Sequence, residues 1–426
     1  MDTVMVGSVG EIELAAVSLA NQFINIFHIF CMGIGMGASV LVARYFSMND
    51  SSSLKKTVTI MLRLVLAFAA VFSVITLLFP GPIMQMYTGQ RENADRIITS
   101  GIEYLSWSVV TYFFLGASVT CTILLRNVNK VKMPLYTSIG IFFVNVGANY
   151  IFIFGKFGAP RMGVAGAALG TLIARVFEFV IICGYLFIFD KSIGYRVKEF
   201  FRPVGVIWRE YIRISIPVLI SDGILAFGNN AVAMVIGRLG DSFAAANAVA
   251  MVALRLSTTM IQGFSQSGAI ITGYTLGEGD RKKAQEQGYA FLGLGFAFGL
   301  ASAIILALVS EPLIYFCKLE GESKSIARSL IWSLALIIVF QATNSIMTKG
   351  VLRGGGDTKM LMLADNIFLW AAAVPLGALA GLVFHLPAFW IYFFLKCDQL
   401  LKCIWCVIRL RGGKWIKKIR SESEIS

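Results

Sequence analysis

Residues Asp2–Asp50, DTVMVGSVGEIELAAVSLANQFINIFHIFCMGIGMGASVLVARYFSMND, and residues Val232–Asp280, VAMVIGRLGDSFAAANAVAMVALRLSTTMIQGFSQSGAIITGYTLGEGD, align end to end without a gap. Gly7 falls on Gly237, Gly10 on Gly240, Ala15, Ala16 and Ala20 on Ala245, Ala246 and Ala250, Gly33 on Gly263, and Asp50 on Asp280. Each copy reads as the end of one apolar helix, a small-residue turn, and a long Ala/Gly-rich apolar helix running into a charged loop. A second echo follows: Leu125-Arg126 opens a basic loop in the first half, as Leu352-Arg353 does in the second. Two halves of one design make up the chain, and internal symmetry of this kind marks membrane transporters with a site between the halves.

Composition sets the class. Of 426 residues, 57% are hydrophobic and 14% charged, with a mean hydropathy of +0.76, far outside the range of soluble domains. Helical spans need about 20 apolar residues each, and about eleven such runs can be read, roughly over 12–45, 54–79, 98–125, 133–154, 163–189, 212–237, 242–276, 284–310, 325–352, 360–383 and 388–408. The short alternating strands of a barrel are missing from the pattern. The expected fold is an all-α polytopic membrane protein of two pseudo-symmetric six-helix bundles: residues 1–190, a linker at 191–210, residues 211–410, and a basic tail at 411–426. Only Met1–Val9 stands where the repeat demands a full first helix. The sequence is therefore expected to lack most of that span, through a misassigned start or a truncation.

The net charge of +13 could suggest nucleic acid, but its placement argues against that. With the loop at 47–53 taken as cytoplasmic, loops on that side carry Arg44, Lys55, Lys56, Arg126, Lys130, Lys132, the basic linker, Arg281–Lys283, Arg353, Lys359 and the tail. The opposite loops carry few cations, such as Arg91, Lys156 and Arg238. This is the positive-inside asymmetry, and it places the C-terminus in the cytoplasm. The tail is expected to lie on anionic lipid. Seven scattered cysteines do not form a disulfide framework, and Cys403-Ile-Trp-Cys406 lacks the second ligand pair of a metal site. His28 and His385 stand alone and read as packing or interfacial residues.

Ionisable and amide residues inside apolar runs are costly there and mark ligand pathways. Asn145 and Asn149 share one helical face, and Arg175 and Glu178 are spaced to pair. Asp222 and Asn229 lie seven apart, Arg255 and Gln266 follow on the next span, Gln341 and Asn344 share a stripe, and Asp365 precedes Asn366. A carboxylate in low dielectric exchanges a proton or binds Na+ unless a cation compensates it, and it attracts lipophilic cations. The competing reading is that these acids pair with Arg175, Arg255 or Lys396 and only hold helices together.

The motifs Asp2-Thr-Val-Met-Val-Gly7 with Leu14–Asn21, Asn145-x-x-x-Asn149-Tyr-Ile-Phe-Ile, Gly163-Val-Ala-Gly-Ala-Ala168, Leu276-Gly-Glu-Gly-Asp280 and Leu352-Arg-Gly-Gly-Gly-Asp-Thr-Lys359 together resemble the multidrug and toxic compound extrusion (MATE) family. The resemblance covers both halves in order. It implies a V-shaped pair of six-helix bundles in a bacterial cytoplasmic membrane, acting as a monomer and exporting organic cations or drugs by antiport with Na+ or H+, with no further cofactor. It also implies coupling-ion roles for Asp2, Asn145, Asn149, Asp222 and Asp365; the polar residues themselves suggest a substrate cleft with Glu178, Asn229, Arg255, Gln266, Gln341 and Asn344. Asn149 stands where some members have aspartate, which argues against a two-carboxylate site in the first half. Flippases of lipid-linked sugars share the architecture but should line their cleft with several arginines. A truncated chain that does not transport is the other alternative. No nucleophile–base pair, metal cluster or phosphate loop suggests an enzyme.

Overall fold

A computed structural model of the protein describes residues 5–6, 10–88, 94–316 and 321–417. Among the described residues the chain is helical without strands, and nine helices are long and apolar enough to cross a membrane. The chain divides into two compact units. One comprises Met1–Val42 and Asp50–Arg209, the other Ala43–Asn49 and Glu210–Ile425.

The first unit contains most of α1 (Glu11–Ser47), followed by α2 (Ser51–Leu78), the short α3 (Pro80–Thr88), α4 (Ala94–Asn127), α5 (Lys132–Phe154) and α6 (Val164–Gly184), which continues through a wider turn at Tyr185–Phe189. An aromatic cluster fastens α1 to α2 and α4: the Phe27 ring lies 5.8 Å from Phe68, 5.4 Å from Phe72 and 4.9 Å from Tyr112. Such ring pairs add to the area they bury. The stretch read as a linker is stitched to α2. The Arg63 guanidinium donates to the carbonyls of Phe200 and Arg202, and the Thr59 and Tyr195 hydroxyls lie 3.0 Å apart. This accounts for a cation inside an apolar run: Arg63 satisfies carbonyls of the short 3-10 turn Val197–Phe201 and its flank.

The second unit contains α7 (Ile207–Arg238, from Glu210 on), α8 (Asp241–Gly277), α9 (Arg281–Phe316), α10 (Gly321–Ser345) and α11 (Thr358–Phe368), then the short α12 (Val374–Ala378), α13 (Ala388–Leu395) and α14 (Asp398–Arg411). Wider π turns follow α10 at Ile346–Leu352 and flank α12 at Leu369–Ala373 and Leu379–Val383, an irregularity often found where helices carry function. The run read at 388–408 as one span is split at Lys396 and Cys397. The break places Asp398 in the first turn of α14, where unpaired backbone N–H groups favour a negative charge.

The duplication is visible in local geometry. Asp50 caps α2 by accepting from the Ser53 N–H at 3.1 Å, and Asp280 accepts from the Lys283 N–H at 2.9 Å at the start of α9. Each follows a residue in the left-handed region, Asn49 at φ 55° and Gly279 at φ 87°. One turn, left-handed residue then capping aspartate, is thus built twice. Residues 43–49 close onto the second unit, where the Phe46 ring meets Tyr274 at 5.8 Å, edge-on.

The start of the basic tail is folded into the protein. Trp415 is fully buried and donates from Nε1 to Gln285 Oε1 at 2.9 Å. Its ring lies over Gly355, where a Cβ would come within 2.3 Å of it, so the glycine run after Arg353 leaves room for an indole. Arg44 donates to the Lys417 carbonyl at 2.7 Å, and Asp357 accepts from Arg409 at 2.7 Å with Lys417 Nζ at 3.6 Å. The expectation that the tail lies on lipid is thus corrected for Trp415, which is buried in protein; residues 418–426 of the tail lie outside the described residues.

Replacing either capping aspartate, Asp50→Ala or Asp280→Ala, should cost about 1 kcal/mol. Thermal unfolding of the purified protein in detergent should show two losses of similar size.

Candidate functional site

Polar side chains gather within each unit. In the first, α5 presents Asn145 and Asn149 one turn apart, and Asn149 Nδ2 donates to Asn145 Oδ1 at 3.3 Å. Asn149 is fully buried because α6 comes close at Gly170, where a Cβ would lie 2.1 Å from Asn149 Oδ1. One turn further along α6, Arg175 and Glu178 pair at 2.7 Å, with Glu178 nearly buried and Arg175 a third exposed. His28 on α1 is near enough to feel both charges. The pairing weighed against a site role for Glu178 is therefore present. Asp2 lies outside the described residues.

The second unit holds a denser network. Lys402 of α14 is 2% exposed, and its Nζ lies 3.0 Å from Asp398 Oδ2 and 3.4 Å from Asp365 Oδ1. Gln399 Nε2 donates to Asp398 at 2.6 Å, and Asn344 Nδ2 of α10 donates to Gln399 Oε1 at 2.9 Å. On the other side the Ser221 hydroxyl of α7 points at Asp365 Oδ2 from 3.5 Å. Four helices thus meet around one ammonium. Two carboxylates face one ammonium, and Lys396 stands two residues before Asp398 at the helix break.

Next to Ser221, Asp222 lies 3.7 Å from Arg353 Nη2, which is buried at the start of the glycine run. The pairings differ from those weighed in the sequence: Asp365 meets Lys402 and not Lys396, and Asp222 meets Arg353 and not Arg255. Arg255 and Asn229 are exposed, while Gln266 and Gln341 are half-buried. Of the expected cleft residues in this unit, only Asn344 joins the network around Asp365. Asp398, Gln399 and Lys402 were not among the expected site residues. A signal existed, since Asp398 and Lys402 stand four apart in an otherwise apolar run and so share a helix face. Among the described residues no three His, Cys, Asp or Glu side chains form a group able to hold a metal ion.

Removing one partner of a buried ion pair leaves a charge uncompensated. Lys402→Met should therefore destabilise the protein by about 3–5 kcal/mol, and neutralising both acids alongside it, Asp365→Asn and Asp398→Asn, should recover most of the loss. Thermal unfolding of the single and triple variants checks this.

Comparison with known proteins gives a match to the MatE family over residues 1–151 and 217–379. The probable multidrug resistance protein NorM of Agrobacterium fabrum is 25% identical over 384 residues, covering 88% of this chain and 81% of that protein. The multidrug resistance protein NorM of Burkholderia vietnamiensis is 27% identical over 396 residues, covering 90% and 82%. A solved structure described as MATE in the bent conformation superposes with a TM-score of 0.85 at 19% identity, covering 97% of this chain and 91% of that one.

Proposed function

We propose, from the premise that this chain belongs to the MatE family, that it is a multi-pass membrane transporter that exports organic cations and drugs by antiport with Na+ or H+. The family match and the multidrug-resistance names of its relatives support export of drugs. The observation that supports ion coupling is the acid network in the second unit, where Asp365 and Asp398 are held among apolar helices by a single ammonium.

The chemistry follows from charge in hydrocarbon. An acid buried among apolar helices must be neutralised by a proton, a metal cation or an organic cation, because water is not there to solvate it. If the inorganic ion favours one conformation and the organic cation the other, their exclusion at shared negative charge converts an ion gradient into export. Asp222, a quarter exposed beside Arg353, is more accessible than Asp365 and Asp398 and the better candidate for contact with a drug. Asp2, Asn145, Asn149 and Glu178 would serve the first unit in the same manner. The basic loops support a cytoplasmic C-terminus, and the protein would act as a monomer in a bacterial cytoplasmic membrane. The flippase reading is not favoured: Arg63 is spent on backbone carbonyls, Arg175 on Glu178 and Arg353 on Asp222.

Proteoliposomes should expel ethidium when given an inward Na+ or pH gradient and leak none without one. Asp222→Asn and Asp2→Asn should each reduce gradient-driven efflux about tenfold or more, the worth of one lost charge contact, with expression unchanged. Wild-type efflux in both variants would refute the assignment.

A further inference from the structure

The charged end of the first unit holds a cavity that the export reading does not use. It measures about 410 Å³ and lies between the first turns of α2 and the segment that follows α6, with Ser51, Ser52, Lys55 and Lys56 on one wall and Glu199 and Arg202 on the other. All six belong to the same unit. The walls are held in place from below. Arg63 donates to the carbonyls of Phe200 and Arg202, and the buried Thr59 hydroxyl lies 3.2 Å from the Glu199 carbonyl oxygen.

Charge around the cavity is one-sided. The stretches 50–56 and 190–202 carry six cations, Lys55, Lys56, Lys191, Arg196, Lys198 and Arg202, against three acids, Asp50, Asp190 and Glu199. Each acid is engaged: Asp50 and Asp190 accept from the backbone N–H groups of Ser53 and Ile193 at 3.1 and 2.8 Å, and Glu199 pairs with Arg202 at 3.0 Å. Arg196 is turned to the carbonyls of Phe187 and Ile188. Because Asp50 already caps α2, the attraction for an anion comes from the ammonium and guanidinium groups of the walls and not from the helix end.

The surface beside the cavity is apolar. Phe201, directly before Arg202, is 78% exposed, and Ile188, Phe189 and Val197 on the same segment are exposed as well. Apolar side chains set next to a row of cations suit a segment lying in a membrane interface, with the apolar groups at the acyl boundary and the cations at the phosphates. α2 is long and apolar enough to cross a membrane starting from this end, which puts its first turns at headgroup level. We propose that the cavity seats the phosphate-bearing headgroup of an anionic phospholipid, with Phe201 and Val197 against its acyl chains. The phosphate neutralises like charges that α2 and the connecting segment bring together, and so ties the two elements to each other. The proposal needs only that the chain crosses a membrane; it is separate from the export reading.

The test uses the full chain purified in detergent. Phosphatidylglycerol added to the micelles should raise the melting temperature, whereas phosphatidylcholine, or inorganic phosphate at equal ionic strength, should not. Titrations followed by native mass spectrometry should show phosphatidylglycerol bound to the wild type, with about fivefold weaker binding for each of Lys55→Gln, Lys56→Gln and Arg202→Gln. Phe201→Ser, which leaves every charge in place, should weaken binding too. Lys130→Gln combined with Lys132→Gln, in the loop before α5, should keep wild-type binding. Equal losses in that control would show diffuse attraction and overturn the site, as would wild-type binding in the three cavity variants. An equal rise in melting temperature from inorganic phosphate would overturn the lipid as the ligand. None of these readings depends on ethidium efflux, so the site can fail while export stands, and export can fail while the site stands.

Discussion

A charge surrounded by hydrocarbon has no water to solvate it, so it persists only beside an opposite charge or with a proton to neutralise it. That constraint organises both units. Where compensation is local, the charge is structural: Arg63 spends its donors on carbonyls next to α2, and Arg409 and Lys417 hold Asp357 at the charged end of the second unit. Where compensation is shared, as with the two acids around Lys402, charges from several helices are tied into one buried group.

The fold supplies this arrangement through irregular helices. α14 begins anew after the break at Lys396 and Cys397, which sets Asp398 at a helix start with Lys402 one turn on. The partner acid comes from α11, which runs into π turns. Packing then closes the group: Asn344 reaches across from α10, and the small Ser221 of α7 fits against Asp365. In the first unit the glycine at 170 does comparable work by letting α6 cover Asn149.

Much of this was legible in the sequence. The gapless alignment of Asp2–Asp50 with Val232–Asp280 announced two similar halves, and the paired aspartates at its end turned out to share a physical task as helix caps. Apolar run lengths gave the helices, except that a run such as 388–408 does not reveal a break whose cause is a buried charge at the new helix start. Candidate acids were found because they stand alone in apolar surroundings. Their partners were not, because pairing is a property of the tertiary arrangement: Arg353 is distant in sequence from Asp222, and Lys402 from Asp365. Only i,i+3 and i,i+4 pairs such as Arg175–Glu178 can be read directly. Trp415 was hidden for a similar reason, since a tryptophan among basic residues reads as an interfacial anchor until Gly355 and Gln285 are seen to receive it.

A double-mutant cycle of Asp365→Asn and Lys402→Gln, read by thermal unfolding of the purified protein in detergent, tests the central claim most directly, because it isolates the energy the two charges share. Buried charges that hold the second unit together predict a coupling of about 1 kcal/mol or more between the two substitutions. Losses that simply add would contradict the account.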